Sequence, residues 1–283
     1  MIYDTNGNLL EKNNLWLNEI SDEYFSHGLK RIIPLKKDTF VMNVISMTGY
    51  YPKAILLESY QSDVKYIKEY PSSVKLDKTS SGFLYDEFGI MYRYKDEVRM
   101  YKIINDTVFT VSQNTEMKDA FIFELGKYRT TLSYIERKEG FNNFIEYGRK
   151  FITVKKIFES HNHLFINFYF GNHAPEPYEI ITSRGTTLIV DDVYGIFNKF
   201  TGELILMKQP IKGKLGFKND IDNGPVVWLH YISSNNELVT YISVEEFQEY
   251  YDKIENPTQQ LTEISKSTTM DDNQIVIIAK LKE

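Results

Sequence analysis

The sequence predicts an all-β chain built from repeated four-strand antiparallel units, and three observations carry that reading. Aromatics make up 14% of the 283 residues, with 21 Tyr and 18 Phe, and such side chains suit a pleated, half-buried surface better than a helix. Short strand-like runs recur along most of the chain with turn residues between them. These runs fall into clusters of about four, at roughly 40 to 50 residues per cluster, which is the spacing of β-propeller blades. A large irregular sandwich or barrel is the alternative.

At the start, "IYD" and "NLLEK" flank "TNG" as two strands around a tight turn, with Gly7 free to take positive φ. Residues 1–28 thus read as the remnant of a preceding blade. The first full cluster, 29–70, holds "KRIIPL", "TFVMNVI", "KAILLESY" and "VKYIKEY". The second, 82–125, holds "GIMYRY", "EVRMYKII", "DTVFTVS" and "DAFIFEL". The third, 150–192, holds "FITVKKIFE", "HLFINFYF", "PYEIITS" and "TTLIVDD". The fourth, 193–283, is less regular, with "YGIFNKF", "GELILM", "LGFKND" and "VVWLHYI", and closes on "QIVIIAKLK". Residues 1–283 are expected to form a single propeller domain.

One stretch breaks the β pattern. Ser243 and Glu246 have the spacing of a capping box, and Val244, Phe247, Tyr251 and Ile254 share one face of a helix of about three turns. Asn256 as N-cap, with Pro257 first and Gln259 third in the helix, starts a second short helix carrying Leu261 and Ile264. Two amphipathic helices before a last strand cover the end or edge of a sheet, or form a lid.

Charge and motifs exclude several function classes. The formal charge of 33 minus 39, or -6, comes with no long basic run, so nucleic acid is not an expected partner. No stretch approaches the ~18 apolar residues of a membrane span, and the amino terminus shows no signal-peptide pattern. Zero cysteines remove disulfides and thiolate metal sites. There is no G-x-S-x-G elbow and no phosphate-cradling G-x-x-x-x-G-K-[ST]. The acid pairs Asp191–Asp192 and Asp271–Asp272 are adjacent in sequence, so on strands they point to opposite faces and do not form a glycosidase pair by themselves.

Three of the five histidines, His161, His163 and His173, fall within thirteen positions. His161 and His163 share a strand face, with Glu159 nearby. His173 lies at the far end of an intervening strand, roughly 25 to 30 Å away at ~3.3 Å per residue, so the three cannot hold one ion. No metal, cofactor or catalytic residue is assigned. "GNHAPEPYEI" reads as a proline-stiffened loop at a blade end, where His173, Glu176 and Tyr178 are candidate contacts for a sugar or peptide. "KNDIDNGP" fails as an EF-hand, because setting Gly224 sixth puts Ile221 third and His230 twelfth. Its Asn219 and Asp220, with the nearby Trp228, complete the candidate ligand-binding set.

Five segments carry a resemblance: "NDTVFTVS", "FELGKYR", "FGNHAPEPYEI", "KNDIDNG" and, most specific, "DDNQIVIIAKLK". In that order they resemble the carboxyl-terminal part of a largely uncharacterised group of six-bladed β-propellers from gut Gram-negative anaerobes. The resemblance covers most of the chain. Members usually carry an export or lipoprotein signal and a first blade or so ahead of a stretch like Tyr3 to Leu10, so this chain is expected to lack the amino-terminal blade region. It implies periplasmic or outer-envelope placement and a non-catalytic binding role, with a glycan, a peptide or an envelope protein as partner. The alternative is a propeller enzyme, a glycan lyase or hydrolase, with a site assembled from loops of several blades.

Overall fold

The computed structural model describes residues 2–3, 9–11, 31–43, 54–60, 63–71, 89–102, 106–135, 146–182, 184–209, 212–219 and 224–281. The fold is all-β, mostly four-stranded antiparallel sheets with a few short helices. The chain divides into two compact units, Met1–Thr153 and Val154–Glu283.

The first unit opens with the predicted hairpin, β1 (Ile2–Tyr3) against β2 (Leu9–Glu11). Strands β3 (Ile32–Lys36), β4 (Thr39–Met42), β5 (Ala54–Tyr60) and β6 (Asp63–Tyr70) follow as a sheet in chain order. Strands β7 (Ile90–Tyr94), β8 (Glu97–Tyr101), β9 (Thr107–Val111) and β10 (Met117–Ile122) form a second. Both agree with the first two predicted clusters. The sheets share a core in which Leu35, Val41, Ala54 and Leu56 meet Met91, Val98, Met100 and Val111. Two side chains of β6 also reach across: the Tyr70 hydroxyl and the Lys68 ammonium both donate to the Thr115 carbonyl, at 2.8 and 2.7 Å. Inside the second sheet the Arg99 guanidinium is buried between the Glu97 carboxylate and the Thr110 hydroxyl, because a buried charge is tolerated only when paired and hydrogen-bonded.

In the second unit, β11 (Thr153–Glu159) and β12 (His163–Tyr169) begin a sheet that is completed by β15 (Asp192–Asn198) and β16 (Leu204–Leu206). Strands β13 (Tyr178–Ile181) and β14 (Thr187–Val190) form a separate two-stranded hairpin. The expected third cluster, ending at 192, is therefore corrected: its third and fourth positions belong to "YGIFNKF" and "GELILM". The ladder from His163↔Asn198 to Tyr169↔Asp192 is seven residues long, and β12 buries five consecutive residues, Leu164 to Phe168. A strand buried on both faces needs an apolar partner, and the hairpin strands are largely exposed. Gly195 suits the partner position, since a Cβ there would stand 3.0 Å from Phe168 and 3.2 Å from Leu204.

The last sheet has three strands among the described residues, β17 (Tyr231–Ile232), β18 (Glu237–Ile242) and β19 (Ile275–Lys280), in that order. Between β18 and β19 lie α1 (Val244–Tyr251) and α2 (Gln259–Ser267). The Ser243 hydroxyl accepts from the Glu246 amide as expected, while the Glu246 carboxylate turns toward Lys214. At eight residues, α1 is about two turns rather than three. The N-cap of α2 is Thr258, whose hydroxyl accepts from the Leu261 amide, two residues beyond the expected Asn256. Phe247 and Leu261 are buried against Ile242, with Tyr251, Ile254, Ile264, Ile275 and Ile277 packed around them. The helices thus bury their apolar sides against one face of this sheet, rather than its end or edge.

Candidate functional site

The loop after β12 contains a single 3-10 turn, Gly171–His173, with Gly171 at φ 53°. His173 and Glu176 are exposed and Tyr178 is half-buried. Gln209, a residue not singled out in the sequence, ties this loop down. Its amide N–H donates to the Glu176 carboxylate at 3.0 Å, its side-chain amide donates to the Glu176 carbonyl, and its side-chain oxygen accepts from the Gly213 amide at 2.7 Å. Glu176 therefore anchors the loop. Burial, with Asp192 nearby, raises the Tyr178 hydroxyl above its ordinary pKa, so its proton stays on as a donor.

Trp228 sits apart from that loop in its role. It is 8% exposed, stacked on Tyr194 at 4.3 Å and on Phe217 at 5.2 Å, with Phe165 edge-on at 6.0 Å. Its indole N–H donates to the Asn167 side-chain oxygen at 2.6 Å. These contacts occupy both its faces and its polar edge, so Trp228 belongs to the core joining the sheet of β11, β12, β15 and β16 to that of β17 to β19. The same burial, with Asp192 and Tyr178, pushes the Tyr194 hydroxyl up to about 12.

The histidines separate as predicted, with His163 opening β12 and His173 beyond its far end. Glu159, a potential third ligand, is buried and accepts the Lys199 ammonium at 2.8 Å, and that ammonium also donates to the Ser160 carbonyl. The His161 amide donates to the Asn236 side chain at 2.8 Å. Among the described residues no group of three or more metal-ligating side chains converges.

One concavity of this unit was not evident in the sequence. A cavity of about 450 Å³ lies where the β19 strand and the α2 helix meet Phe217 to Asn219 and Gly224 to Val227. Its walls are apolar, with Phe247, Leu261 and Ile264 from the helices facing Phe217, Val227 and Leu238, and β19 along its length. Asn219, a candidate from the sequence, lines it, and so do Gln260 and Lys218. Asp220 lies outside the described residues. The cavity arises between two aromatic and aliphatic clusters that meet on β19, one around Trp228 and Leu238 and one around Phe247 and Leu261. A volume in the range of ~300–1,000 Å³, apolar walls and a few polar groups are the usual makings of a ligand site. Sequence periodicity shows both amphipathic helices but not the gap between their face and the aromatic stack.

The family described as "Domain of unknown function (DUF4934)" matches residues 1–280. Among solved structures, the crystal structure of a "putative exported protein" from Bacteroides fragilis NCTC 9343 is similar, with a TM-score of 0.57 at 16% identity. The match covers 89% of this chain and 65% of that one, so this chain spans less than two thirds of the length of its neighbour. At that identity the likeness speaks to fold alone. No curated protein matches the chain. Among the described residues no helix is long and apolar enough to cross a membrane.

Proposed function

This chain belongs to the DUF4934 family, and on that premise we propose that it is a non-catalytic binding protein of the bacterial cell envelope, its antiparallel sheets arranged as blades of a six-bladed type of propeller. The observation that carries the binding role is the apolar cavity of about 450 Å³ along β19, which offers a preformed site and few groups able to move protons. The order β3 to β6 and β7 to β10, four strands each in chain order, supports the blade reading. The exported neighbour of similar fold supports periplasmic or outer-envelope placement.

The test uses the purified full chain, the apolar dye 1-anilinonaphthalene-8-sulfonate, and arrays of envelope glycans and extended peptides. Dye fluorescence and peptide capture are expected to fall at least ~tenfold in Ile264→Asp, which places a charge on the apolar wall. Gln260→Trp, at an exposed lining position, is expected to block the cavity without disturbing the core and controls for misfolding. Capture unchanged in both variants would remove the cavity from the function. Turnover of any arrayed glycan or peptide, abolished by replacing one Asp or His, would put the enzyme reading in its place.

A further inference from the structure

We infer that the open edge of β19 takes an extended peptide from another polypeptide as a fourth strand, with alternate apolar side chains entering the cavity and an acidic residue beside Lys218. This rests on the binding reading above and names its ligand.

The first observation is the edge itself. β19 pairs with β18 over six residues, from Ile242↔Ile275 to Glu237↔Lys280, and no strand lies on its other side among the described residues. The other three main sheets have four strands. An edge strand presents unpaired N–H and C=O groups, and proteins blunt such edges with prolines, bulges, short strands or charges. β3 shows this protection, with Pro34 and a register shift beside it. β19 has neither a proline nor a register shift, and its charge is confined to Lys280 at the end. Its outward face also stays apolar, with Val276 60% and Ile278 63% exposed.

The second observation is where the cavity opens. Ile275, Ile277 and Ala279 on one face of β19 and Val276 and Ile278 on the other all line it, so it runs along this edge. Side chains on adjacent strands of a sheet point to the same faces in register. A strand added to β19 therefore directs every second residue into the same apolar space as Ile275 and Ile277, while main-chain bonds supply affinity, the mode known as β-augmentation.

Charge selects the occupant and its direction. Lys218 is the charged residue among those lining the cavity, and Phe217 next to it packs on the same buried cluster, around Trp228 and Leu238, as Ala279 and Leu281 at the carboxyl end of β19, where Lys280 also lies. At the other end, Asp271 and Asp272 precede the strand, exposed. An antiparallel partner, the orientation of every strand pair described for this chain, then carries an acid at its amino end and a base at its carboxyl end. A second copy would offer its own β19, whose Ile275 and Ile277 already pack against its own helices, so a separate peptide fits better.

The probe is a synthetic nine-residue peptide with glutamate first, arginine last, and valine or isoleucine alternating with threonine between, measured by fluorescence anisotropy against the full chain. The expected result is saturable binding, weakened at least ~tenfold by N-methylating one alternate set of its amides and little changed by methylating the other, since each lost main-chain bond is worth ~0.5–1.5 kcal/mol. Lys218→Glu is expected to lower affinity ~threefold, the size of a rim ion pair, and to restore it for the peptide with arginine in place of its first glutamate. If both methylated peptides match the parent, the cavity binds side chains without adding a strand; the inference fails and the binding reading stands. If neither peptide nor dye binds, both fail. If β19 amides are already fully protected from hydrogen exchange in the isolated protein, the edge is occupied by this chain or a second copy, and the inference is overturned.

Discussion

Trp228 shows what one side chain does in this fold and why its sequence setting misleads. In "PVVWLHY" an aromatic after a Gly-Pro turn reads equally well as a loop contact or as core, because alternation says which residues share a face and not which face is inside. The structure decides through Tyr194, Phe217 and Asn167, residues far away in sequence. Trp228→Ala is expected to cost ~3–5 kcal/mol, as large aromatic truncations in cores do, measured by denaturant unfolding. Asn167→Leu is expected to cost ~1–3 kcal/mol by leaving the buried indole N–H without its acceptor.

The folded state holds the Tyr194 proton more tightly than the unfolded state, with a pKa of about 12 against 10.0. Its contribution to stability is therefore complete below pH ~10 and lost as pH rises from there to about 12. His230 has the opposite sign: burial and the nearby Lys156 lower its pKa from 6.5, so folding loses stability as pH falls below that value. Its ring nitrogen meets the Thr240 hydroxyl at 2.8 Å and its ring stacks on Tyr241. Unfolding measured between pH 5 and 7 is expected to show a weaker acid loss in His230→Gln than in the wild type.

Among the elements, local chemistry was the most legible. Ser243 announces α1 and does cap it, whereas α2 had two cap-competent residues in "NPTQQ", and propensity alone does not rank Asn256 above or below Thr258. Thr258→Ala is expected to destabilise by ~1 kcal/mol, while Asn256→Ala changes little. The hairpin of β13 and β14 was legible as two strands but not as an excursion, since "YEII" and "TLIV" have the same composition as strands that join a sheet. What excludes them is a long-range match, the seven-residue ladder of β12 with β15. The Phe170 amide donates to the Asp191 carbonyl at the base of the excursion, so the sheet closes without the hairpin. Replacing residues 171–190 by Asn-Gly is therefore expected to leave the third sheet folded, with the near-ultraviolet signal of Trp228 retained.

Across the whole molecule, repetition in fours was readable because each strand run is local, and the first two sheets follow it strand for strand. The candidate site was not readable in the same way. Of the six residues singled out, Asn219 lines the cavity, Glu176 and Tyr178 belong to the loop tied by Gln209, and Trp228 lies in the core. The cavity itself depends on packing between helices and an aromatic cluster that meet on a strand far away in sequence, which no window of sequence contains. Hydrogen exchange of β19 in the full chain, with and without the acid-first peptide, distinguishes an open edge from an occupied one. The expected result is rapid exchange of the outward amides of Ile275 to Lys280 that slows when peptide is added, with Lys218→Glu reducing the effect. Exchange that is already slow without peptide, or unchanged with it, would mean that β19 takes no added strand.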